Sequence, residues 1–344
     1  MKSNILIFSI IMMSFLSCET REKDINIDIQ FEKKLTGKMI TALDTGCYDD
    51  MDIINSTLYL RNFCGKTFFH LLDLSAENYR IDFGNRGQGP EEFNEPLLLR
   101  STNDSVFMTF DINTCEIKSF KTNIKDCTLQ LLNIKNIDKS LRGSYEMFLL
   151  QNKDLIGIKT DMGKGLFFKY NSSSDEDLVW AINKRYKKLF NNLTMNQAVF
   201  SDAIWVHELK QKVAVAMKYY NHLHFYTMDG ALIKTLSIGK KITPVIDKKH
   251  QIVKDESKYC FIDIYGTKDY IYALWLGKSF QQLEQHAEKI QSGLFVFNWD
   301  GDLIKTFELD RTINRLAIDE QEQKLYGSER GEEGMGGIWV YDLK

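Results

Sequence analysis

The chain has 344 residues with 44 basic and 47 acidic side chains, for a formal charge of −3 and a pI near 6.1. That balance excludes nucleic acid as a partner, because holding a phosphate backbone needs clustered Lys and Arg in excess. With 44% hydrophobic residues the chain can build a large core, and its length exceeds that of a typical single domain.

Met1 and Lys2 lead into the apolar run "ILIFSIIMMSFL" (5–16), too short to span a bilayer comfortably and matched to the core of an export signal. The end of that run, "FLSC", resembles the lipobox of bacterial lipoproteins. The resemblance implies a signal peptide over 1–17, lipidation of Cys18, a tether over 18–24 and one domain over 25–344. No later stretch is long and apolar enough to cross a membrane. With Cys18 lipidated, Cys47, Cys64, Cys115, Cys127 and Cys260 allow two disulfides and one free thiol. Sequence leaves the pairing open, and Cys115 with Cys127 is the first choice because they flank a short strand–turn–strand stretch. The cysteine spacings are not those of a zinc site.

The segment "INIDIQF" (25–31) alternates Ile25, Ile27, Ile29 and Phe31 with polar residues, the pattern of a half-buried strand. Further on, "TMDGALIKTLSIG" (227–239) and "NWDGDLIKTFELD" (298–310) share Asp, Gly, Leu, Ile, Lys and Thr in register. Each reads as two strands around a tight Asp-Gly turn. Relatives of the first of these strands occur at "FFHLLDL" (68–74), "IKSFKT" (117–122), "LFFKYN" (166–171), "LHFYTM" (223–228), "LFVFNW" (294–299) and "IWVYDL" (338–343), each preceded by another short strand.

Six copies recurring at intervals of about forty to seventy residues predict an all-β, six-bladed β-propeller of four-stranded antiparallel blades. Only three prolines and little helical periodicity agree with it, and a two-sheet sandwich is weighed second. With strands lettered A to D outward from the axis, the copies are strand C. The last copy then ends at the C-terminus with no residues left for its strand D. An unpaired edge would result, so residues 25–31 are expected to close the ring on the last blade.

The glycine-rich stretch "RIDFGNRGQGPEEFNEP" (80–96) places Gly84, Gly87, Gly89 and Pro90 at spacings that match no phosphate-binding loop, and a strand-like segment follows it instead of a helix. Its glycines permit positive φ where the chain leaves one sheet, and Pro90 and Pro96 stiffen the crossing to the next. Phe93 is expected to fill the apolar gap between two blades. Residues 83–120 resemble an NHL repeat, and more closely the TolB-like six-bladed propeller lipoproteins of Gram-negative bacteria. Asp111, Asn113, Ile117 and Phe120 fall where that repeat expects D, N, I and F. The resemblance implies the propeller fold and a cell-envelope, outer-membrane location, and says little of activity.

Antiparallel order puts the D-to-A and B-to-C loops on one face, where a ligand is expected. Its candidate residues are Arg86, Glu91, Glu92, Asp111, Asn113, Asp161, Tyr219, Tyr220, Asn221, Trp275, Glu329 and Arg330. The long loop 277–293 there repeats Phe280, Leu283, Ala287 and Ile290 at helical spacing. His222 and His224, two apart on a strand, face one side and could join a carboxylate on a metal. No third His lies nearby, so two rim histidines are the stronger reading. "SERGEEG" (328–334) lacks the spacing of a calcium loop, and no serine-hydrolase or zinc-protease motif occurs. Inner strands should line the channel with Arg100, Glu146, His207, Glu208, Asp263 and Asn314, few groups for an enzyme.

The sequence therefore predicts a non-catalytic binding or scaffold module. It is held to a membrane by lipid, needs no cofactor, with calcium as the alternative, and takes a glycan, a peptide or an envelope protein as partner. The alternative is a metal- or carboxylate-dependent hydrolase or lyase with its site in the channel, and a purely structural envelope component is third.

Overall fold

The computed structural model describes residues 23–344 apart from 41–45, 76–79, 102–105, 124–125, 127, 160–164, 174–178, 183–184, 187–198, 200–202, 287–289 and 330–335. Cys18, Cys127, Asp161 and Arg330 lie outside the described residues.

Six antiparallel sheets stand around one axis. Blade 1 runs Tyr48–Ile54, Thr57–Asn62, Thr67–Asp73 and Arg80–Asn85; blade 2 runs Pro96–Leu98, Phe107–Asp111, Glu116–Asn123 and Thr128–Asn136. Blade 3 comprises Ser144–Leu149, Leu155–Lys159, Phe167–Tyr170 and Val179–Ala181, and blade 4 Ala203–His207, Lys212–Ala216, His222–Thr227 and Leu232–Ile238. Blade 5 comprises Lys258–Gly266, Tyr270–Ser279, Gly293–Asn298 and Leu303–Leu309; Ile313–Asp319, Lys324–Glu329 and Ile338–Asp342 make the first three strands of blade 6. All six sequence copies are third strands, and those of blades 1, 4 and 5 are near-continuously buried, on both faces, between neighbouring sheets. The repeated Asp-Gly turns cap blades 4 and 5, with Gly230 at φ 83° and Gly301 at φ 76°, a backbone that favours glycine.

The N-terminal segment closes the ring, but through other residues than expected. Lys38–Met39 supplies the missing outer strand of blade 6, with Met39 opposite Trp339 and Lys38 opposite Val340. Residues 25–31 never reach that blade. Lys23–Ile27 lies parallel to the outer strand of blade 4, Ile25 opposite Leu236, and Lys33–Leu35 lies parallel to the outer strand of blade 5. The segment thus passes along three consecutive blades and covers the outer edges of two sheets that were already complete, a fate that alternation alone does not distinguish from closure. Gly37 lets it turn inward at blade 6, since a Cβ there would stand 2.7 Å from the Tyr341 ring. Among the described residues, the strands of the ring lie between Lys23 and Asp342.

The junction from blade 1 to blade 2 behaves as read. Phe93 is 1% exposed and packs with Phe68, Phe69, Phe83 and Phe120. Gly84, at φ 83°, leaves room for it, because a Cβ would come within 3.0 Å of Phe69 and 3.2 Å of Phe93. Phe93→Ala should cost about 3–5 kcal/mol. Urea unfolding measures this, and a loss under about 1 kcal/mol would show that the junction does not depend on the ring.

The disulfide joins Cys47 to Cys64, across the first hairpin of blade 1. Cys115 is a buried free thiol, which overturns its pairing with Cys127, and Cys260 is likewise free and buried. Cys115 sits at φ 59° in a tight turn whose amide bonds back to Asp111, which fixes its thiol inward. Reduction of Cys47–Cys64, 17 residues apart, should lower stability by roughly 3 kcal/mol through the unfolded chain's regained freedom. Unfolding with and without dithiothreitol reads it directly, and coincident curves would refute it.

Candidate functional site

Inner strands in a propeller cannot stay regular if they are to aim polar groups along the axis, and four of these carry bulges. Register shifts fall at Tyr48/Asp50, Tyr145/Phe148, Phe261/Asp263 and Ile313/Arg315. An extra residue at a bulge re-aims its neighbour. Glu146, in the third-blade bulge, takes φ 48°. Gly157 opposite makes this feasible, since a Cβ there would stand 2.4 Å from the Met147 sulfur.

The result is a charge network across the axis. Arg100 has left the inner strand of blade 2 to pair in parallel with Phe148 of blade 3. It is 6% exposed. It donates to Asp50 of blade 1 at 2.6 Å and to Glu146 of blade 3 at 3.1 Å, and lies 5.0 Å from the Trp205 ring of blade 4. Arg315 of blade 6 donates to the Asp49 carbonyl of blade 1 at 2.6 Å and the Ile262 carbonyl of blade 5 at 3.2 Å. Its 3.5 Å contact with Asp263 is an ion pair, and Asp263 also accepts from Leu316 N at 2.8 Å. Asp52 accepts from the Tyr265 hydroxyl at 2.8 Å, and Arg61 pairs with Asp49 at 2.9 Å.

Five carboxylates here face three guanidinium groups, so burial is not offset everywhere. Burial pushes Glu146 up to about 7, against the pull of Arg100, and pushes Asp49, Asp52 and Asp263 up to about 6. The Arg100 charge is opposed by its own burial, but Asp50 and Glu146 outweigh this and hold it firmly protonated.

Of the six channel residues read from sequence, Arg100, Glu146 and Asp263 meet in this network, and Asn314 occupies the blade 6 bulge beside Arg315. His207 and Glu208 stand at the mouth, where His207 Nε2 donates to the Lys268 carbonyl at 2.9 Å and Glu208 accepts from Gln151 N at 3.1 Å. Sequence reasoning missed Asp50, Asp52, Tyr265 and Arg315. The one available signal was the break of strand alternation by a charge in each inner strand.

Above Arg100 and Asp52 the channel widens into a funnel of about 520 Å³. All six blades line it, through Asp52, Val106, Phe148, Trp205, Tyr265 and Asp319, with Arg100 at its floor. It opens among the A-to-B loops, the face opposite the one expected to bind. On its rim Leu209 is 81% exposed, the highest value among the exposed large hydrophobics.

Among the described residues, the candidates on the expected face are spread over separate local contacts. Asp111 accepts four backbone N–H groups, from Asn94, Glu95, Asn113 and Thr114, and Asn113 donates to Glu95. Glu92 accepts from Gly89 N, and Arg86 donates to the Phe63 carbonyl over the Phe68 ring, while Glu91 is exposed. Asn221 is buried and bonds to Ile238 and Ile242, and Glu329 accepts from the Trp339 indole. Tyr219 packs on Tyr259, and Trp275 is buried against Phe261 and Phe295. Tyr220 lies beside Tyr186 and His222.

His222 and His224 are not two rim residues. His224 is fully buried, and the Tyr186 hydroxyl lies 2.6 Å from both imidazoles, with Thr235 2.9 Å beyond His224. Burial lowers His222 to about 4 and holds His224 well below the usual imidazole range, so both rings are neutral. Among the described residues no three His, Cys, Asp or Glu side chains are placed to hold a metal.

That face does carry a groove of about 850 Å³ at the lower end of blade 5. The loop 277–293 forms one wall, with helix Phe280–His286 and buried Leu283 and Ile290 as its spacing predicts. The N-terminal segment forms another, where Phe31 packs on Phe295 in space that Gly293 leaves open.

Glu146→Gln isolates the protonation of the network. A carboxyl raised by burial is protonated in the folded chain when the unfolded chain has lost its proton, so its stabilisation is full below about 4.5 and is lost as pH rises through about 7. Relative to wild type, E146Q should gain at least tenfold in folding constant between pH 5 and pH 8. Urea midpoints at the two values test it, and a gain that shrinks with pH would reverse the assignment.

The family model described as TolB-like 6-blade propeller-like matches residues 45–321. None of the curated proteins matches the sequence. Among solved structures, a DUF4221-family protein from Bacteroides vulgatus is similar at TM-score 0.63 and 13% identity, over 90% of this chain and 96% of that one. A Bacteroides fragilis protein provisionally named as exported is similar at TM-score 0.58 and 9% identity, over 93% and 99%. A luciferin-regenerating enzyme is similar at TM-score 0.50 and 10% identity, over 90% and 95%. At these identities the likeness concerns the fold.

Proposed function

The chain belongs to the TolB-like family of six-bladed propellers, and from that premise we propose that it serves as an exported, lipid-anchored binding or scaffold module at the envelope of a Gram-negative bacterium. The short leader and Cys18 support anchoring in the outer membrane, and the provisional name of the Bacteroides fragilis relative supports export. One observation carries the binding reading: side chains from all six blades converge on a single funnel. Convergent pockets of roughly 300–1,000 Å³ with aromatic walls and a few fixed polar groups are where ligands bind. The aromatic wall of Phe148, Trp205 and Tyr265 suits a sugar ring or a peptide side chain, with Leu209 offering apolar contact at the rim.

The charged groups at the funnel floor bond chiefly to each other and to backbone, which favours a rigid floor over a reacting one. The partner is a peptide, a glycan or an envelope protein.

Residues 23–344 applied to glycan and peptide arrays test this. Leu209→Asp with Glu320→Lys, both on exposed rim positions, should reduce the strongest signals at least tenfold without moving the unfolding midpoint, and deletion of 278–291 should leave them intact. Signals that survive the rim substitutions and vanish with the loop deletion would place the partner on the other face.

A further inference from the structure

The groove on blade 5 is separate from the funnel and differs from it in chemistry. Four lysines surround it: Lys240 and Lys241 on the crossing from blade 4, Lys258 at the start of the inner strand, and Lys278 at the end of the second strand. All four are exposed, and none has an ion pair among the described residues. The one carboxylate on the lining, Glu308, is 3.7 Å from Lys34. Between the lysines the lining is mainly apolar, made by Ile29, Phe31, Ile242, Trp275, Leu276 and Ile290, with Gln282 and Gln291 as its neutral polar members. Ile29 is 45% exposed, an apolar side chain left in water at the edge of the groove.

We propose that this groove binds an amphiphilic anion, a molecule with a phosphate or carboxylate head and an aliphatic chain. Unpaired ammonium groups at the rim favour an anionic head, and leaving the apolar interior wet costs free energy in proportion to its area. A small hydrophilic anion would satisfy only the lysines. An acidic peptide would leave the apolar lining uncovered. About 850 Å³ lies within the range of ligand sites and accommodates a chain of several methylenes beside its head group. The inference does not depend on the funnel or on lipidation of Cys18.

Calorimetric titration of residues 23–344 at low ionic strength provides the test, with octyl phosphate and octanoate as probes. Octyl glucoside (same chain, neutral head), inorganic phosphate (head alone) and hexaglutamate are the controls. Octyl phosphate and octanoate should bind at least tenfold more tightly than any control. Lys258→Glu with Lys278→Glu should weaken them at least tenfold at an unchanged unfolding midpoint, and Ile242→Ser should weaken octyl phosphate without affecting phosphate. Leu209→Asp should change nothing. Equal binding of octyl glucoside, equal binding of inorganic phosphate, tighter binding of hexaglutamate, or indifference to the lysine reversals would each overturn the proposal.

Discussion

Six sheets that meet along their inner edges force side chains of every blade into one column, and in this chain charge fills that column. Arg100 binds carboxylates of blades 1 and 3 and lies against Trp205 of blade 4, while Arg315 joins blade 6 to blades 1 and 5. Two guanidinium groups therefore tie the blades across the axis. A planar, multidentate cation suits the task, since it offers several donors in fixed directions where a lysine has a single flexible point charge. Such burial is unfavourable unless partners are fixed, and the inner-strand bulges fix them.

The same constraint shapes the funnel above. The arginines and carboxylates occupy the axis, and the cavity on the A-to-B side has Arg100, Asp52 and Tyr265 in its lining. An excess of carboxylates keeps part of the network protonated near neutrality. The floor can thus answer a change of pH with a change of charge without a histidine, the residue usually invoked for that role. The two histidines that sequence brought forward are locked to Tyr186 within blade 4 and kept neutral by burial.

Closure of the ring links the two faces. The N-terminal segment covers the edges of blades 4 and 5 before completing blade 6, and in passing blade 5 it inserts Phe31 beside Gly293 and leaves Ile29 at the edge of the lysine-lined groove. That groove exists because the closing strand arrives from outside and packs against an inserted loop. A ring closed within one blade would leave the outer edge of blade 5 open to solvent.

The all-β class, the six repeated units, the identity of each third strand and the blade 1 to blade 2 junction around Phe93 are legible in the residues alone. These are local: alternation, turn residues and a glycine-proline crossing act over a few neighbours. The sequence also located Glu146 and Asp263 on inner strands, and it brought Arg100 to the axis, although Arg100 has left the inner strand of blade 2 for the edge of blade 3. Which face they serve, which blade each N-terminal strand joins and which cysteines pair follow from the folded ring. Bulges at Asp50, Glu146, Asp263 and Arg315 shift side chains between faces of a strand, and a single inserted residue defeats any period-two reading. Lys38–Met39 is two residues long with no pattern of its own, and finds its place only because blade 6 offers an unpaired edge. Partners hundreds of residues apart are chosen by the closed ring, and no stretch of sequence records that geometry locally.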